Sequence, residues 1–331
     1  MGADTNPTRN TVAKENTFVD VKGTDALLQL ELDANVRGHV GRTTWTARAT
    51  TGGKAFASLL TTDSMAAFRL DAAAITALPN SWQMAWRTST KGRLQPTLTR
   101  TYLWHHAEWA MSTSVHRRLR IEGGLSGGGF ASWQANAATF SSAGAFAGAL
   151  WFASAKETLA TRLSTEGRGF VAMAPRARPD EPQAPGYAIR LDTPVMLTAT
   201  WTSTRTVFTS LRYMGTWNLS NSFGEGYLRH RLVALVGVAL PAEFTLSADV
   251  GLQFTTYTDG LLGDGQRRDL QLADESQNRL VIRLRRPLLP HTQLEVRASV
   301  FGNEFSDASQ SFARMVLGVG LSGDLGWTPD S

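Results

Sequence analysis

The chain has 331 residues, 42% of them hydrophobic, with a formal net charge of +5 and a mean hydropathy of −0.17. No run approaches the ~20 consecutive apolar residues of a membrane-spanning helix. The absence of cysteine excludes disulfides, thiolate metal sites and a lipid-modified N-terminal cysteine.

Met1-Gly2-Ala3-Asp4 lacks the basic and apolar segments of a cleavable leader. Residues 1–16 read as an N-terminal extension. From residue 17 onward, alternating segments recur between turn signals. Strands are predicted near 17–33, 36–50, 65–77, 81–90, 99–115, 118–132, 139–154, 157–172, 187–202, 205–219, 225–239, 243–257, 277–287, 292–304 and 311–327. Ala143–Ala155 (AGAFAGALWFASA) is too short and too rich in Gly and Ala for a spanning helix, and it reads as one of these strands. The breaks alternate in length. Leu78–Ser81, Val115–Arg118, Leu240–Ala242 and Leu288–His291 are short, whereas Met173–Gly186 and Thr258–Ser276 are long.

The clearest alternation lies in the C-terminal third. Phe244, Leu246, Ala248, Val250, Leu252 and Phe254 alternate with Thr245, Ser247, Asp249, Gly251, Gln253 and Thr255. Leu294, Val296, Ala298 and Val300 oppose Gln293, Glu295, Arg297 and Ser299. Met315, Leu317, Val319, Leu321, Leu325 and Trp327 oppose Arg314, Ser322 and Asp324. Successive side chains on a strand point to opposite faces, so one face is apolar and the other wet. Such runs exceed the ~5–6 residues of an ordinary soluble strand and match a tilted strand crossing a bilayer, which needs ~9–11. The fold class is therefore all-β: an antiparallel transmembrane β-barrel, residues 17–327, with short periplasmic turns, long extracellular loops and a tail at 328–331. Bacterial single-chain barrels have an even strand number. About 16 strands are expected, with Lys54–Thr62 the best candidate for one not yet segmented. A soluble β-sandwich or β-helix is the competing architecture, but its strands should be shorter.

Charges fall on the wet face. Arg279, Arg283 and Arg285 share it, as do Glu295 and Arg297, Arg229 and Arg231, Asp249 and Arg314. Arg69 with Asp71, and Arg190 with Asp192, follow the same spacing. These residues are pore-lining candidates that would set ion preference, or rungs of a ladder of cross-strand ion pairs. The basic residues are 28 Arg against 5 Lys. That bias fits a GC-rich genome or a lumen that attracts anions. The arginines are scattered singly, without a patch of stacking aromatics, so nucleic acid is not an expected partner.

The other motifs carry less. His105 and His106 point to opposite faces of one strand and cannot jointly hold a metal; His106 and Glu108 share a face. Asp259, Asp264, Asp269 and Asp274 lack the calcium-loop spacing and sit beside Arg267-Arg268, which favours a solvated loop. No nucleophile has a clear base partner. A non-enzyme without metal or cofactor is expected, with a phospholipase- or protease-type barrel left open. Trp82, Trp86, Trp104, Trp109, Trp201, Trp217, Phe244, Phe254, Tyr257 and Trp327 fall near strand ends, where interfacial belts lie.

The closing segment GLSGDLGW, with Gly323, Leu325 and Trp327, resembles the C-terminal assembly signal of Gram-negative outer-membrane β-barrel proteins, although four residues follow the aromatic. The hairpin Leu294–Trp327 resembles the last hairpin of large porin-like barrels. More weakly, Gly52–Phe56 (GGKAF) and Trp86–Arg93 (WRTSTKGR) resemble barrels of polysaccharide-export or gliding-motility complexes. The general resemblance implies residence in the bacterial outer membrane. The implied partners are membrane lipids, lipopolysaccharide and the barrel assembly machinery, with other envelope proteins or a homo-oligomer as further candidates. Two functions follow: a mildly anion-preferring, water-filled pore for small solutes or a secreted polymer, or a structural barrel anchoring a cell-envelope complex.

Overall fold

A computed structural model describes residues 2–4, 13–14, 17–18, 25–56, 65–94, 101–133, 139–171, 189–258, 278–289, 292–302 and 313–323. Within them the chain forms strands and turns only. In order these are β1 (Gly2–Asp4), β2 (Ala13–Lys14), β3 (Thr17–Phe18), β4 (Asp25–Val40), β5 (Thr43–Phe56) and β6 (Met65–Ala77). They continue as β7 (Trp82–Leu94), β8 (Tyr102–His116), β9 (Leu119–Ser132), β10 (Phe140–Ser154), β11 (Glu157–Phe170) and β12 (Leu191–Thr204). The last are β13 (Val207–Ser220), β14 (Tyr227–Ala239), β15 (Thr245–Tyr257), β16 (Asn278–Leu289), β17 (Thr292–Gly302) and β18 (Ala313–Gly323).

From β4 to β18 each strand pairs antiparallel with the next in sequence. The sheet closes into a barrel through β1, which lies between β18 and β4. The fifteen long strands run from 11 residues in β17 to 16 in β4, enough to cross a bilayer when tilted. An odd number of meandering strands would leave β4 and β18 parallel. β1 runs opposite to both, pairing Gly2 with Gly318 and with Leu27, and Asp4 with Val316 and with Asp25. It thereby restores the even count that closure of an antiparallel sheet requires. These three residues lie inside the stretch expected to be an extension. The small hairpin β2–β3 stands apart.

One sequence expectation is corrected at the first hairpin. The predicted break at 34–35 falls inside β4, and the turn lies at Gly41–Arg42, where Gly41 takes φ 58°. The polar run Asp33-Ala34-Asn35 resembles a turn signal but continues the alternation, whereas Gly41 adopts the left-handed backbone that a tight hairpin demands. Of Lys54–Thr62, the candidate for a further strand, Lys54–Phe56 form the end of β5 and 57–62 lie outside the described residues. Segments 57–64, 95–101, 171–190 and 258–277 all join strands at one end, and 41–42, 117–118, 155–156 and 205–206 at the other.

Alternation decides the facing. Val296 and Val300 are 44% and 45% exposed while Ser299 between them is 1% exposed. The apolar set Leu294, Val296, Ala298 and Val300 therefore faces outward. Register carries this around the sheet, because residues directly opposite on neighbouring strands share a face. Val296 sits opposite Leu284 and Val319, and Leu284 opposite Leu246. Trp86 and Trp109 pair on the same outer face, as do Trp201 and Leu211. Trp82, Trp217 and Phe254 are also exposed there, forming the aromatic girdle. Trp104 and Tyr257 depart from the expectation and face inward: Trp104 stacks on inward-facing His106 at 5.6 Å and Tyr257 meets Tyr227 at 5.9 Å.

Candidate pore lining

The inner face is identified by contacts between strands that are not neighbours. Arg162 on β11 donates from Nη2 to Glu108 Oε1 on β8 at 2.6 Å, and from Nη1 to Oε2 at 3.2 Å. Three strand spacings of flat sheet measure about 14 Å. These side chains meet because both project into the concave inner side of the wall between β8 and β11. The sequence supplies the corner: β9 and β10 present Gly124, Gly128, Gly144 and Gly148 to the inside. A Cβ on Gly124 would fall inside the van der Waals shell of the Trp109 carbonyl oxygen, and one on Gly144 inside that of Thr165. Because those oxygens are backbone, a side chain there would open the bend.

The corner is filled with paired charge. Glu108 also approaches Arg87 (3.6 Å) and accepts from His106 Nε2 (3.2 Å), and Arg87 reaches on to Glu122 at 3.6 Å. The Arg162 guanidinium lies 3.6 Å from the centroid of the buried Phe146 ring. Each cation here has an anion within reach, so the corner's desolvated charges are compensated. Glu108 thus serves as a structural counter-ion.

Nearer the long-loop end, Tyr102, Phe130, Phe140 and Phe170 form a ladder across β8 to β11, with centroids 5.5, 5.8 and 5.3 Å apart. Arg190 caps it, 4.4 Å over Phe170. Its fork bonds Asp192 at 2.6 and 3.1 Å, and its remaining nitrogen meets Glu225 at 3.0 Å. Burial alone would lower the pKa of Arg190. Asp192 and Glu225 outweigh that and raise it. This clasp ties the start of β12 to the 221–226 connection.

On the opposite side, the β14–β17 wall carries most of the residues predicted from sequence. Arg229, Arg231, Asp249, Arg279, Arg283, Arg285, Glu295 and Arg297 all occupy inner-face positions. Arg279 grips Asp249 with two bonds of 3.0 and 3.1 Å, and Arg285 donates to Glu295 at 2.7 Å. Arg229 donates to Thr255 (3.1 Å) and lies 4.5 Å from the Tyr227 ring. Arg297 donates to Ser299 at 2.9 Å. Arg283, between the two ion pairs on β16, sits opposite Ser247 on one side and Arg297 on the other. It has no hydrogen-bond or ion-pair partner among the described residues. Arg314 lies on β18 in register with Phe301, and Gly323 is that strand's last residue. Leu325 and Trp327 lie outside the described residues.

Sequence spacing placed Arg69 with Asp71, and Arg190 with Asp192, on one face and expected ion pairs across strands. Arg69–Asp71 (2.6 Å) and Arg190–Asp192 (2.6 Å) both form. It missed Arg87, Glu122 and Arg162 as one cluster. Their shared wet-face parity was a signal, but their convergence depends on the glycine corner.

No protein-family model matches the chain, and no curated protein sequence matches it. Solved structures with similar outlines include the siderophore receptor PirA from Pseudomonas aeruginosa. It is 8% identical, with a TM-score of 0.41 over 91% of this chain and 63% of that one. CdiB from Acinetobacter baumannii (9%, TM-score 0.42, 89% and 59%) and the copper transporter OprC (8%, 0.37, 88% and 64%) are others. This chain spans about three-fifths of the length of those larger proteins, and likeness at this level carries no functional argument. The chain's own geometry is that of a transmembrane β-barrel: antiparallel closure, an apolar and aromatic outer face, a polar inner face, and connections short at one end and long at the other.

Proposed function

We propose that this barrel resides in the bacterial outer membrane and forms a water-filled pore with a mild preference for anions. Small solutes or a secreted polymer would be its cargo. A barrel of about 16 strands is wide enough to hold an aqueous channel. The observation that carries the preference is the β14–β17 wall. Its two carboxylates, Asp249 and Glu295, are each engaged by one arginine, and Arg283 remains over. Net positive potential along a lumen raises the local anion concentration. Lipopolysaccharide and the assembly machinery are the partners this reading implies.

Reversal potentials across a planar bilayer in a salt gradient test it. Anion selectivity should be moderate at 0.1 M salt, where screening acts over ~10 Å, and fade in concentrated salt. Arg283→Glu and Arg285→Glu should each shift it toward cations. A cation-selective wild type, or selectivity unmoved by these changes, overturns the reading. One observation favours the second reading, a structural barrel of an envelope complex. The β8–β11 interior is packed, with Phe170 fully buried and Phe140 and Phe146 8% and 6% exposed. Absence of any conductance would select that reading.

A further inference from the structure

We infer that Arg286, laid over Phe244 on the outer face of the barrel, binds the phosphate of a membrane phospholipid in the leaflet at the short-turn end. The inference needs the barrel to sit in a bilayer and is independent of what its lumen conducts. Parity sets the facing. Leu280, Ile282 and Leu284 point outward on β16, so Arg286 does too, in register with outward Leu294 of β17. Among the described residues of the barrel strands, it is the one arginine or lysine at an outward position. Its guanidinium carbon lies 5.1 Å from the centre of the Phe244 ring. Phe244 continues the outer face beyond Leu246, which pairs with Leu284. Arg286 makes no hydrogen bond or ion pair among the described residues. The carboxylate on the neighbouring strand, Glu295, points into the lumen and is held by Arg285.

Height selects the ligand. Arg286 stands three residues before the end of β16, as outward Trp201 does before the end of β12. Outward tryptophans mark the level of the lipid headgroups. A guanidinium is tolerated at that level, whereas nearer the midplane it is strongly unfavourable. The aliphatic stem covers apolar surface while the charged head turns to the interface. The anion that a bilayer offers there is the lipid phosphate, whose oxygens match the planar fork of N–H donors. Contact with the Phe244 ring orients that fork. Leu284 beside Arg286, Leu294 opposite it and Leu321 on β18 continue the apolar outer face, a floor for the acyl chains of the same lipid. One oriented cation on an otherwise apolar wall makes a discrete site, distinct from the even contact of lipid around the rest of the barrel.

The test uses the full chain folded in detergent, titrated with dimyristoylphosphatidylglycerol and read by native mass spectrometry, so that no conductance is required. Wild type should retain one lipid saturably. Arg286→Gln should weaken the apparent affinity by about tenfold or more, as expected for loss of charged hydrogen bonds. Arg286→Lys should recover part of it. Phe244→Leu should weaken it by about two- to fivefold through loss of the cation–π contact. Arg42→Gln, in the β4–β5 turn at the same end of the barrel, should leave it unchanged. Dimyristoylglycerol, with the same chains and no phosphate, should bind poorly, and inorganic phosphate should not displace the lipid. Heat-modifiable migration establishes that each variant is folded. Lipid retention that is absent, matched by dimyristoylglycerol, displaced by inorganic phosphate, or unaffected by Arg286→Gln overturns the inference, whatever the pore conducts.

Discussion

Placing a charge on the outer face of β17 tests both the facing and the membrane. Val296 lies near the middle of this 11-residue strand, 44% exposed, between Leu284 of β16 and Val319 of β18. Each of those neighbours is itself apolar and outward. Val296→Arg would put a guanidinium among them near the hydrocarbon midplane, at a cost of about 2–4 kcal/mol. At 1.36 kcal/mol per tenfold, that is a loss of roughly 30- to 900-fold in the folding equilibrium. Arg297→Leu, one residue along, makes the opposite exchange on the inner face. It forfeits the bond to Ser299, worth about 1 kcal/mol, but puts no charge into hydrocarbon, so its net effect should be the smaller. Urea titrations of folding into lipid vesicles, followed by heat-modifiable migration, measure both. A neutral Val296→Arg together with a severe Arg297→Leu would show that the faces are inverted and refute the reasoning.

The corner predicts a contrast between two inner-face glycines. Gly124→Ala collides with backbone and should cost about 1–3 kcal/mol, whereas Gly318→Ala enters open space and should stay within about 0.5 kcal/mol of wild type. Equal effects in the same titration would remove the argument for a glycine-dependent bend. At the C-terminus, deletion of residues 328–331 should leave assembly intact. Trp327→Ser should lower the folded fraction recovered from outer membranes, and equal recovery of the two variants would show that Trp327 is no assembly signal.

Sequence alone determined the faces. A period of two leaves no freedom once one residue is placed, so Val296 outward entails Arg297 inward, and the arginines of β16 had to line one wall. It also determined most turns, since Pro79-Asn80 and Leu240–Ala242 punctuate the alternation unmistakably. A ladder of cross-strand ion pairs was legible too, and Arg279–Asp249 and Arg285–Glu295 are two of its rungs. What lies between strands that are not neighbours did not follow. Arg162 finds Glu108 three strands away on the concave inner side of the wall. Trp104 turns inward because its register position, one residue off that of Leu103 and His105, outranks its apolar character. The sixteenth stave was hidden for a related reason. Gly2–Asp4 is too short to show a period, and its place is set by the parity of a closed sheet, a property of the whole chain and of no segment within it. Register sets Glu295 opposite Arg285, but it sets Asp249 opposite Val281, midway between Arg279 and Arg283, and only the side-chain geometry gives Asp249 to Arg279.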